Sequence, residues 1–273
     1  MIPMFEPPPF GEIQLAILAP PVSQQARRTE KDKFANLIRS QIGQCQFLLA
    51  GDVAVDIEWL VHEQRRYESD EAPDVDNILK PLLDTLCGPE GLMIDDCQVQ
   101  AVACRWIDSA SREEECIQIR LRFEPDEWLS KRAFCLVHLG KGLCFPLNRN
   151  AQPGAVLLLV DQIEAMLTTR NKLIERGKDY YTAKGVMSVQ RLFHRSRVGR
   201  FTVIELDSLR AELNQEMTAQ PACPGADDLD RAMLDLRTRL ASIISQGLPE
   251  LATERPHRPA PDPESPREET SAQ

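Results

Sequence analysis

The chain has no CxxC pair among its eight cysteines (45, 87, 97, 104, 116, 135, 144 and 223). Its four histidines (62, 138, 194 and 257) have no spacing that completes a zinc site. Neither zinc nor disulfides are expected, and the thiols read as free, mostly buried small hydrophobes. No apolar run approaches the roughly 18 residues needed to span a bilayer; the longest, residues 155–160, stops at Asp161. The opening residues, MIPMFEPPPFGE, lack the basic flank and apolar core of a secretory signal. A cytoplasmic protein without a membrane partner is expected. No internal repeat is present.

What is there is enough for a core. With 273 residues and 42% hydrophobic content, the chain suits one large or two modest domains. The net charge of −10 argues against a nucleic-acid partner until its distribution is read. Residues 1–125 hold 12 Lys and Arg against 22 Asp and Glu, residues 131–200 hold 13 against 4, and residues 201–273 hold 7 against 14. A basic middle lies between two acidic ends.

Residues 12–18 read as a strand stopped by Pro20 and Pro21, and residues 29–46 as a helix with Thr29 and Asp32 as its cap. DVAVDIEWLVH, from Asp52, alternates like a half-buried strand. Residues 78–88 carry a helical apolar face, with Pro81 expected in the first turn and the helix therefore starting near Ile78 or Leu79. Strands are expected from Cys97 and over 116–123. The first 125 residues thus form a compact α+β domain, a small mixed sheet with packed helices, bounded at 124–127. Residues 126–217 form a basic extension with a hairpin around Gly140 and Lys141. Helices are expected over 155–176, 179–193 and 208–217, with a short strand near 200–206. Residues 218–273 supply a linker, an amphipathic helix over 227–245 and a disordered tail.

The most informative stretch is 73–98, PDVDNILKPLLDTLCGPEGLMIDDCQ. It presents Asp74 and Asp76, then a short helix, then Asp95 and Asp96. Carboxylates so crowded repel unless a cation or shared proton relieves them, and a divalent ion with hard oxygen ligands is the usual remedy. Asp74 and Asp76, two apart on extended backbone, would leave the same face. Asp95 and Asp96 would point opposite ways in a strand, so one reaches the metal and the other supports it. Lys80, four residues after Asp76, returns over the same face and can stabilise phosphate charge. A D-x-D alone is usually a pair of loop acids or a helix cap. Its conjunction with Asn77, Lys80 and the D-D pair is far more specific.

The pattern DVDNILKPLLDTL followed by LMIDDCQV resembles the signature of the RusA family of Holliday-junction resolvases, D-x-D-N-x-x-K and then D-D-x-Q-V. The resemblance runs from about residue 12 to 124. It implies a small α+β homodimer that cuts branched DNA with Mg²⁺ or Mn²⁺. By that resemblance Asp74, Asp76 and Asp96 are the essential acids, Lys80 the catalytic lysine and Asp95 the accessory acid. Arg27, Arg28, Lys31 and Lys33 are candidate DNA-phosphate contacts, a solvated helix start being the plainer reading. The other function classes left open are a silent DNA-binding or protein-interaction module and a nuclease for other branched or foreign DNA.

Overall fold

The computed structural model describes residues 4–20, 22–69, 74–110, 115–187 and 191–219. The linker, the 227–245 helix and the tail expected beyond them lie outside the described residues.

The order begins β1 (Glu12–Ile17), α1 (Arg28–Ile42), β2 (Phe47–Leu49), β3 (Val53–His62), α2 (Glu63–Tyr67), α3 (Val75–Leu86), β4 (Val99–Ser109) and β5 (Cys116–Phe123). The main sheet runs β1-β5-β3-β4. β5 is antiparallel to both β1 and β3, whereas β3 and β4 are parallel. A parallel pair needs a crossover, and α3 lies within it.

Strict alternation in β3 sends Val53, Val55, Ile57, Trp59 and Val61 to one side. There they meet Phe34, Ile38 and Ile42 of α1 and Ile78, Leu82 and Leu86 of α3. The opposite face is polar and laced by ion pairs such as Arg122–Asp56 at 2.9 Å. Trp59 is fully buried, its ring 4.8 Å from that of Trp106. Trp59→Ala is expected to cost about 3–5 kcal/mol, measurable as a lowered midpoint in urea.

Several expectations need correction. α1 stops at Ile42, four residues early, because β2 follows to pair with β6 (Trp128–Ser130). Its N-cap is Arg27, whose backbone N–H donates to Glu30 at 3.2 Å, rather than Thr29. α3 begins at Val75, which puts Pro81 in its interior instead of its first turn. A proline there removes the N–H that would bond the carbonyl of Asn77. That carbonyl accepts instead from the backbone N–H of Gln24 at 2.8 Å, so the loop before α1 replaces the missing donor.

The chain continues with β7 (Phe134–His138), β8 (Leu143–Asn148), α4 (Pro153–Glu175), α5 (Tyr180–Lys184), β9 (Phe193–His194), β10 (Val203–Glu205) and α6 (Leu206–Ala219). The β7–β8 hairpin turns at Lys141, which holds a positive φ of 49° between Gly140 and Gly142. A helix over 179–193 does not form: α5 ends at Lys184 with Gly185 as its C-cap, and β9 joins β8. These strands make a second sheet, β10-β7-β8-β9. Cys135 and Val137 of β7 pack on Val156, Leu157 and Val160 of α4 and on Leu209 and Leu213 of α6. Leu136 points the other way, into a cluster with Leu48, Ile94, Cys144, Phe193 and Val198. The extension is thereby packed against β2 and the segment leading to Asp95. No helix among the described residues is long and apolar enough to cross a membrane.

Candidate functional site

The site is built where α3 begins and where the chain enters β4. Asp74 is the N-cap of α3, with extended backbone (φ −62°, ψ 153°), and Asp76 is already helical. The two therefore flank a helix start and do not share one strand face, because the helix begins at Val75. Both are exposed. Lys80, one turn after Asp76, reaches Asp84 at 2.7 Å and Asp96 Oδ2 at 3.5 Å. Its pKa is raised, first by the hydrogen bond to Asp84 and also by the charge of Asp96, so the ammonium stays charged.

Asp95 and Asp96 do not diverge as strand neighbours would. Asp95 is extended and caps a single 3-10 turn, Asp96–Gln98, by accepting from the Cys97 backbone N–H at 3.1 Å. Arg197 Nη1 meets both acids, at 3.2 Å from Asp95 Oδ1 and 3.3 Å from Asp96 Oδ1. The Asp96 carboxylate thus has a cation on each oxygen. Among the described residues no three His, Cys, Asp or Glu side chains are gathered closely enough to hold a metal ion. What stands together is Asp95, Asp96, Lys80, Asp84 and Arg197.

The turn carrying these acids is anchored by Gln98, which is completely buried. Its Oε1 accepts from the backbone N–H groups of Ile94 (2.7 Å) and Asp95 (3.0 Å). Its Nε2 donates to the carbonyls of Leu49 (2.9 Å) and Gly51 (2.8 Å). The two Oε1 bonds close the acid turn on itself, and the two Nε2 bonds tie it to the end of β2 and the loop that follows. Sequence reasoning placed Gln98 in the motif without giving it work; the signal available was a polar residue fixed in position after two acids. Arg197 had no local signal at all, lying about 100 residues away in sequence.

Carboxylate oxygen is the donor type a hard divalent cation takes, although the described carboxylates are not gathered into a ligand set. The nearby sulfurs do not compete. Burial first, then the hydrogen bond and charge of Asp95, push the Cys97 thiol up to about 12. Burial first, then the charges of Asp96 and Asp95, push Cys87 up to about 12 as well. A thiol held protonated in this way is neither a good ligand nor a good nucleophile. At pH 8, Cys97 should alkylate with iodoacetamide about 10³-fold more slowly than an ordinary thiol, since the thiolate fraction falls tenfold per pKa unit. Peptide mass spectrometry over a time course measures this, and rapid labelling would contradict it.

Residues 22–122 match the family model of the endodeoxyribonuclease RusA, a span that contains both halves of the acidic motif. That segment of the chain is similar to RusA. No curated protein matches the chain. RusA nucleases hydrolyse DNA phosphodiesters, generally with a divalent metal, and the family's resolvase activity implies binding of branched DNA. The RusA match ends before β6, so Arg197 belongs to a part of the chain beyond it.

The basic group expected to touch DNA lies at the start of α1. Arg27, Arg28 and Lys33 are exposed and Lys31 is half-buried. Arg28 pairs only loosely with Asp32, at 3.9 Å. The Gln24–Asn77 hydrogen bond brings the loop before these residues to the first turn of α3, beside Asp76.

Proposed function

We propose that this protein is a metal-dependent, structure-selective endodeoxyribonuclease that resolves Holliday junctions, with its chemistry carried by residues 1–125. The observation that carries the reading is the Lys80–Asp96 pair at 3.5 Å inside the RusA match. It links the D-x-D-N-x-x-K helix to the D-D-x-Q-V turn, which a solvated loop motif would have no cause to do.

In this reading Asp74, Asp76 and Asp96 hold Mg²⁺ or Mn²⁺, with Asp95 supporting the turn. A divalent cation held there supplies Lewis acidity toward the phosphodiester. Lys80, kept charged by Asp84, offsets negative charge developing on the phosphate or the leaving oxygen. Water adds to phosphorus, one P–O ester bond breaks, and a proton passes to the departing oxygen. Arg27, Arg28, Lys31 and Lys33 contact the backbone of an arm, and residues 126–217 add positive charge that the acidic core lacks. A homodimer would match two equivalent strands of a four-way junction. Free thiols suit a cytoplasmic setting.

The test is cleavage of a synthetic four-way junction beside a flap, a fork and a plain duplex, each with Mg²⁺, Mn²⁺ or EDTA. Symmetric metal-dependent nicks in opposed strands are expected, and Asp76→Asn should bind the junction without cutting it. Equal cutting by that variant would remove the proposed mechanism. Preference for the flap or fork would keep the nuclease and change its substrate, while tight junction binding with no cutting under any metal would indicate a silent binding module. Gel filtration then reads the dimer.

A further inference from the structure

Three arginines from one short segment of the extension converge on the loops that carry the candidate site. Arg191 donates to the carbonyl of Cys97 at 2.8 Å and pairs with Asp52. Arg200 donates to the carbonyl of Cys87. Its guanidinium packs over Gly88, where a φ of 98° and the absence of a Cβ leave room for it. Between these two clamps, Phe193 and Val198 are completely buried against Ile94 and Leu48. Successive turn hydrogen bonds, Arg197 N–H to His194 O at 2.9 Å and Phe201 N–H to Val198 O at 3.0 Å, fix the backbone. Arg197 sits on this platform with its side chain 52% exposed.

Arg197 differs from its two neighbours in what it holds. Arg191 and Arg200 bond backbone carbonyls, so they secure the segment. Arg197 touches two carboxylates through one nitrogen, at 3.2 and 3.3 Å, without the two parallel bonds of a strong guanidinium–carboxylate fork. With Arg197 52% and Asp96 35% exposed, that pair adds little to stability, while Asp95, 13% exposed, is the more covered partner. A planar donor set on a fixed backbone, with its head free to leave, suits a phosphate as well as it suits a carboxylate.

We propose that Arg197 is a phosphate-binding residue supplied to the nuclease site by the extension. It is the counter-ion of Asp95 and Asp96 in the metal-free protein, and it turns to the DNA backbone when Asp96 engages a divalent cation. The inference rests on the proposed assignment of Asp74, Asp76 and Asp96. It gives the extension a direct share in the site: the acid turn receives a second cation, beside Lys80, from outside the RusA match.

The test uses the full chain as wild type, Arg197→Gln, Arg197→Lys and Asp76→Asn. It measures Mn²⁺ binding by calorimetry without DNA, junction affinity against salt concentration, and cleavage. Removing a competing cation should tighten Mn²⁺ binding several-fold in Arg197→Gln. Losing one phosphate contact should weaken the junction complex and reduce its log–log salt slope by about 0.9, with cleavage about 10- to 100-fold slower. Arg197→Lys should keep the salt slope. A structural strut predicts the opposite sign, weaker Mn²⁺ binding together with a lower melting temperature, and that result would overturn the proposal. So would an unchanged salt slope in Arg197→Gln. The acid assignment is judged separately, since full Mn²⁺ binding and cutting by Asp76→Asn would overturn it whatever Arg197 does.

Discussion

Asp96→Asn should lower metal-dependent cleavage of a four-way junction by about 10³-fold or more, while junction binding is kept or tightened. Asp96 is the acid that Lys80 and Arg197 both address, one on each oxygen. The amide keeps the shape and loses the charge that balances them and would hold a divalent ion. A 10³-fold loss corresponds to about 4 kcal/mol at about 1.4 kcal/mol per tenfold, the size expected when a ligand to a catalytic metal is lost. Binding should survive because removing a negative charge beside the DNA backbone reduces repulsion. Asp95→Asn is the control. Asparagine can still accept from the Cys97 N–H and cap the 3-10 turn, so that variant should lose about tenfold or less. Single-turnover cleavage of both variants at saturating metal decides the matter, and equal losses would mean that the turn, rather than Asp96 itself, had been damaged.

Gln98→Leu should destabilise the protein by about 4 kcal/mol or more. Leucine fills a similar volume but leaves the N–H groups of Ile94 and Asp95 and the carbonyls of Leu49 and Gly51 without their partner. Each buried polar group so orphaned costs about 1–3 kcal/mol, and four of them outweigh the gain from burying a hydrophobic side chain. For a domain of this size the melting temperature should fall by about 10 °C. Thermal unfolding by circular dichroism reads the loss, and a midpoint within a degree or two of wild type would show that the turn does not need its anchor. The remaining folded protein at low temperature should also cut slowly, because Asp95 and Asp96 follow directly on the two N–H groups released.

β3 was legible because a half-buried strand writes its burial in a period of two, and the apolar face of α3 was legible for the same reason at a helical period. β2 was not, because three buried residues between a helix and Gly51 have no room for a pattern. Pro81 misled because its cost is judged locally, whereas the donor that relieves it comes from Gln24 on another element. In the site, residue types and spacing singled out Asp74, Asp76, Lys80, Asp95 and Asp96 as candidates, of which the structure brings Lys80, Asp95 and Asp96 together. Their arrangement did not follow: Asp76 is helical rather than extended, and Asp95 and Asp96 share one guanidinium rather than diverging. The hairpin of the extension was readable from its glycines, but its docking on Ile94 is a matter of shape between distant segments, which no local pattern records.

The cluster of Leu48, Ile94, Leu136, Cys144, Phe193 and Val198 also bears on how the protein is made. A ribosome adds about 5–20 residues per second. Several seconds therefore separate the emergence of Ile94 from that of Phe193 and Val198, its covering partners. During that interval the nascent nuclease segment presents an apolar surface next to its acid turn, one that a chaperone can occupy. The turn reaches its final surroundings only when synthesis has passed residue 198.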